Sequence, residues 1–127
     1  MKDKKILTVC SYGEVRSVAM ANAMKELGYK DVFPIGILEI DKSFTNTLFN
    51  SYDIILICNR TDFGKNGKWK DTEPEFKTWF SKMRDDYNKK IIYCEFGNDE
   101  WGDPFNPKLV LKAREFAKKV YKSNKMK

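Results

Sequence analysis

The sequence predicts an α/β fold in which a parallel β-sheet carries helices on both faces. Short β-branched and aliphatic runs alternate with stretches of helical period, the order that builds right-handed strand–helix–strand crossovers. One run, Ile54 to Cys58, is apolar at consecutive positions, which suits a strand covered on both faces and not one with a wet side. No linker, repeat or low-complexity stretch divides the 127 residues, so residues 1–127 are expected to form a single domain around one core.

The first strand is Ile6 to Val9, ending abruptly at Cys10-Ser11-Tyr12-Gly13. After Arg16-Ser17 the apolar positions fall at Val18, Met20, Ala23, Met24 and Leu27, a helical spacing, and Gly28 stands where the helix needs a residue that tolerates a left-handed backbone. Val32 to Leu38 reads as a second strand. Pro34 within it has no N–H for a ladder and assigns it to the sheet edge. Asp41 can cap a short helix expected to bury Phe44 and Leu48, and Tyr52 to Cys58 is the third strand. Asn59 to Asp71, with Gly64, Gly67 and several charges, reads as a long loop. Thr72-Glu73-Pro74-Glu75 carries a capping-box signature, and Phe76, Trp79, Phe80, Met83 and Tyr87 form a helical stripe that reads as core packing. Lys90 to Phe96 is the fourth strand and Gly97 to Phe105 a loop. Asn106-Pro107 opens a last helix with Leu109, Ala113, Phe116, Ala117 and Val120 inward, leaving Lys112, Lys118, Lys119 and Lys122 mostly outside.

Composition narrows the chemistry. A hydrophobic share of 42% with 33% charged residues is that of a globular protein and not of a disordered one. The apolar runs fall far short of the roughly 18–20 residues that span a bilayer, and the N-terminal run is too short for a signal peptide, so a cytoplasmic chain without a membrane partner is expected. There is no histidine, which removes the commonest general base and metal ligand; no metal and no cofactor is expected. Cys10, Cys58 and Cys94 are odd in number and too widely spaced for a disulfide framework or a metal knuckle. Cys58 and Cys94 read as buried, inert strand cysteines. The net charge of +6 comes from scattered lysines, a solvated surface, and nucleic acid is not the expected partner.

In a parallel sheet, ligands bind beyond the carboxyl ends of the strands, so the loop after the first strand is where chemistry is expected. It runs Cys10-Ser11-Tyr12-Gly13-Glu14-Val15-Arg16-Ser17. Five residues wrapping from a strand end to a helix N-terminus can turn the amides of Ser11, Tyr12, Gly13, Glu14 and Val15 inward as an anion nest, which the helix dipole reinforces. Phosphate fits such a nest. Arg16 would close it with a planar fork on two phosphate oxygens, and Gly13 permits the tight turn. The same field favours the thiolate of Cys10, the nucleophilic form. Ser17 either donates to that sulfur or simply caps the helix. Glu14, an anion beside an anion site, is expected to point outward.

Cys-x5-Arg-Ser between a first strand and an amphipathic helix resembles the nucleophile loop of the low-molecular-weight protein tyrosine phosphatases. The resemblance covers nearly the whole chain, including the strand Tyr52 to Cys58. It implies a four-stranded parallel sheet of order 2-1-3-4 in a three-layer sandwich. It also implies hydrolysis of a phosphorylated protein or small aryl phosphate through a phosphocysteine on Cys10, with Asp103 of Asp103-Pro104-Phe105 as general acid. Tyr12-Gly13 stands where that family usually has Gly-Asn. From residues alone, Asp103 also suits an ordinary turn before a helix. Trp101, Phe105, Tyr12 and the loop around Trp69 are candidate walls for a flat phosphorylated ring. Two other functions remain open on the sequence. One is a phosphoprotein-binding module without turnover. The other is a thiol-dependent arsenate reductase, which would need Cys58 and Cys94 as relay thiols.

Overall fold

Runs of buried β-branched residues set the middle of the sheet in the computed structural model, which describes residues 2–10, 14–36, 42–59, 86–96 and 102–126. Strand β1 (Ile6–Cys10) is buried at every position, and five consecutive residues of β3 (Ile54–Asn59) are buried from Ile54 to Cys58. Together with β2 (Val32–Gly36) and β4 (Ile91–Glu95) they form a parallel sheet of order β2-β1-β3-β4. This is the α/β fold and strand order expected, with the proline-bearing β2 on the edge.

Alternate residues divide between the faces, as the two-residue period of a strand requires. Leu7, Val9, Ile55, Ile57 and Ile91 pack with Phe49 and Tyr87 on one face. Ile6, Cys10, Ile54, Leu56, Cys58 and Cys94 pack on the other under helix α1 (Arg16–Glu26) and the last helix, α3 (Pro107–Lys122). Between them α2 (Thr45–Asn50) follows a single 3-10 turn, Lys42–Phe44. Its buried aromatic is Phe49, fully enclosed, whereas Phe44 is 62% exposed and Leu48 is half-buried. The sequence expectation of Phe44 as the anchor is therefore corrected. The 3-10 turn rotates the face, and the ring of Tyr87 meets Phe49 edge-on at 5.4 Å.

Helix α1 is buried on most of its circumference, and Ala19 and Ala23 let α3 approach closely. It ends at Gly28, whose φ of 102° is the left-handed conformation the sequence called for. Helix α3 starts as expected: Asn106 caps it by accepting from Lys108 N at 3.0 Å, with Pro107 in the first turn. Leu109, Ala113, Ala117 and Val120 face inward, and the half-buried Phe116 lies 4.9 Å from the Phe96 ring. Lys112 departs from the outward expectation, because its ammonium turns back to donate to Phe96 O at 2.8 Å. The aromatic stripe from Phe76 to Met83, the loop from residue 60 to Asp71, Asp41, Ile37-Leu38 and Trp101 lie outside the described residues.

Candidate active site

The last residue of β1 and the first turn of α1 meet over a short connection. Thr8 sits on the same face of β1 as Cys10, and its Oγ1 donates to the carbonyl of Ser17 at 2.7 Å, which pins the helix start against the strand end. Ser17 is fully buried, and its Oγ accepts from the Cys10 thiol at 3.1 Å. When the sulfur is ionised the same pair works in reverse, with the hydroxyl as donor. Val15 is the cap residue of α1 and makes no side-chain capping bond, so Ser17 is not the helix cap. The first turn also carries no acidic residue. A helix start with neither a capping side chain on its cap residue nor an acid in its first turn suits an anion at its N-terminus.

Arg16 opens α1 and is buried, with 9% exposure. Glu14 is exposed, as expected, and Val15 packs against the apolar cluster under the helices. Ser11, Tyr12 and Gly13 lie outside the described residues. Asp103 is exposed, and its Oδ1 accepts from Phe105 N at 2.7 Å, closing a turn, while Asn106 does the capping. The turn brings Pro104 and Phe105 beside Ala19 and Ala23 of α1, where they line an open cleft of about 620 Å³ between α1 and α3. Asp103 itself does not line that cleft.

The other two thiols lie on β3 and β4. Burial pushes the Cys58 thiol well up, with Cys94 and Cys10 adding to the rise and Arg16 and the backbone of Val9 opposing it. Burial likewise pushes Cys94 up to about 12. Both stay protonated at neutral pH. Sequence reasoning placed them on strands but missed that Cys58 and Cys94 are direct partners in the β3–β4 register. It also missed Thr8, a polar residue inside an apolar run whose only signal was that a buried hydroxyl needs a partner.

The fold and the junction define a class: a parallel α/β sheet of order 2-1-3-4 in which the end of β1 and the start of α1 carry a cysteine, an arginine and a buried serine. No protein-family model matches the chain, and no curated protein matches it in sequence. Among solved structures the fold is similar to that of a NiFe hydrogenase maturation protease, HycI, from Thermococcus kodakarensis KOD1. That likeness has a TM-score of 0.52 at 14% identity over 92% of this chain and 90% of that one. It is also similar to YwlE arginine phosphatase, solved as a cysteine-to-serine mutant with a phosphorylated active-site serine. Here the TM-score is 0.50 at 14% identity over 97% of this chain and 99% of that one. At such identity the likeness is one of fold.

Proposed function

We propose that the chain hydrolyses phosphate monoesters through a phosphocysteine on Cys10, in the manner of a low-molecular-weight protein tyrosine phosphatase, with protein phosphotyrosine as the substrate class. The observation that carries this is the Cys10–Ser17 pair, 3.1 Å apart and buried at the start of α1. Phosphate would sit on the amides of residues 11 to 15, with Arg16 forked on two of its oxygens. Cys10 attacks phosphorus and forms the S–P bond as the ester P–O bond breaks, and Asp103 protonates the departing phenolate. Water, relieved of a proton by the same carboxylate, then attacks phosphorus, and the Cys10 thiolate leaves towards the Ser17 hydroxyl. The cradle supplies the positive charge, so the scheme uses no metal. The phosphate carried on the active-site serine of the YwlE mutant supports a phosphoryl-transfer role for this fold.

The test is turnover of para-nitrophenyl phosphate, a phosphotyrosine peptide and a phosphoarginine peptide by the wild type and by Cys10→Ser. Hydrolysis by the wild type with none in the variant is expected, and phosphate should protect Cys10 from alkylation by iodoacetate. Preference for phosphoarginine would move the substrate class while keeping the mechanism. Equal activity in the variant, or none in either protein, overturns the proposal.

A further inference from the structure

Scattered lysines do not account for the net charge of +6. Helix α3 alone carries Lys108, Lys112, Lys118, Lys119 and Lys122 with Arg114, against a single acid, Glu115, so five of the six net charges sit on its 16 residues. Leu109, Ala113, Ala117 and Val120 turn to the core. The opposite side is a stripe spaced three and four residues apart in turn, Lys108, Leu111, Glu115, Lys118 and Lys122, all exposed, with the exposed Lys119 beside it. Arg114 lies off the stripe and is paired with Glu26 at 2.9 Å.

Two observations give this stripe a role beyond solubility. Lys119 and Lys122, in the last turn, suit the helix dipole, but the first turn has no acid and holds Lys108, a placement that helix stability does not explain. The stripe also starts at the rim of the candidate site. Lys112 reaches Phe96 O, just past the end of β4, at 2.8 Å, and Lys125 beyond α3 reaches Ile91 O, where β4 begins, at 2.6 Å, so α3 runs back along the sheet from its carboxyl rim. Cys10 ends β1 at that same rim of the parallel sheet. From Lys108 to Lys122 the helix advances about 21 Å, the length of about six extended residues.

We propose that this face of α3 is a docking surface for an acidic polypeptide segment beside the phosphorylated residue of the protein substrate. The link to a phosphorylated residue rests on the proposed hydrolysis at Cys10; the charge of the face does not. An extended segment sets every second side chain on one side, where its carboxylates meet Lys108, Lys118, Lys119 and Lys122. Leu111, 60% exposed among them, gives an apolar side chain of the segment a contact. Nucleic acid fits less well, because bases need a ring to stack on and the exposed ring of α3, Tyr121, lies off the stripe with Lys2 over it. A membrane also fits less well, because the apolar side of α3 is already buried in the core. Exposed ion pairs are weak singly, so the affinity comes from several together and falls with salt.

Binding is read apart from turnover. Full-length protein is titrated, at low and high salt, with a fluorescent unphosphorylated peptide carrying a run of glutamates of that length, and with its glutamine counterpart. The glutamate peptide alone should bind, and the combined Lys108→Gln, Lys118→Gln, Lys122→Gln variant should weaken it about tenfold. The combined Lys5→Gln, Lys25→Gln, Lys30→Gln variant, of the same net charge, should bind as the wild type does, and Glu115→Gln should tighten binding. With a phosphotyrosine peptide carrying the same glutamates, the α3 variant should raise KM about tenfold at unchanged kcat, and its turnover of para-nitrophenyl phosphate should not change. Equal weakening by both combined variants, or no binding of the glutamate peptide, overturns the inference. Tighter binding of a single-stranded oligonucleotide or of phosphatidylserine vesicles through the same lysines overturns it as well. Absence of turnover with peptide binding intact overturns the phosphatase reading and leaves the docking surface standing.

Discussion

Ser17 divides its oxygens between two partners, the carbonyl accepting from Thr8 and the hydroxyl meeting Cys10. Removing the hydroxyl alone tests the second contact without undoing the first. Ser17→Ala should lower kcat by about ten- to a hundredfold, as expected for a hydrogen bond to a charged group worth about 1.5–3 kcal/mol, and rapid-quench experiments should show phosphoenzyme accumulating. Arg16→Lys replaces a fork by a point charge and should cost about 10²–10³ in kcat, measured beside an unchanged far-ultraviolet circular dichroism spectrum. For Asp103 the sensitive quantity is the leaving group. Asp103→Asn should slow aryl phosphates with basic phenolates far more than those with acidic phenols, and a uniform loss would reduce Asp103 to its turn with Phe105. At this scale spacing and the change of period after Arg16 placed Cys10, Arg16 and Ser17 at one strand–helix junction, where the structure has them. Thr8 and the cysteine register were hidden because they depend on which residues face each other across strands, which spacing along the chain does not encode.

The junction of β1 and α1 carries the candidate site, and Thr8 and Cys10 both tie the strand to the helix through Ser17. Thr8→Val keeps the volume and removes the donor, while the Ser17 carbonyl stays within the helix. Urea unfolding should register a loss of about 0.5–1.5 kcal/mol, with a larger proportional loss of phosphate affinity by calorimetry as α1 drifts from the strand. Element assignment followed the clarity of each pattern. Helix α3 was legible from Asn106-Pro107 to its inward residues because capping and period agree. In α2 the signal was only a few residues long, and an unrecognised 3-10 turn put Phe49 where Phe44 was expected.

For the whole molecule, burying thiols and phenols ties stability to alkaline pH. Cys94 is held protonated up to about 12 when folded, whereas unfolded it ionises near its ordinary value of 9.0. Cys58 shifts upward by the same cause, and burial raises Tyr29 and Tyr52 as well. Each contribution is fully present below the unfolded value and is lost as pH rises towards the folded one, because only the unfolded chain releases the proton. The urea midpoint should therefore fall from about pH 9 towards pH 12, and Cys94→Ala should flatten that decline. The order of assembly follows from a contact at the opposite end of the sheet. Lys125 Nζ donates to the carbonyl of Ile91, 34 residues earlier, and Met126 is buried in the cluster under α1 and α3. A ribosome delivering this chain releases the foot of β4 well before Lys125 and Met126, so this end of the strand is fastened only once they too have emerged.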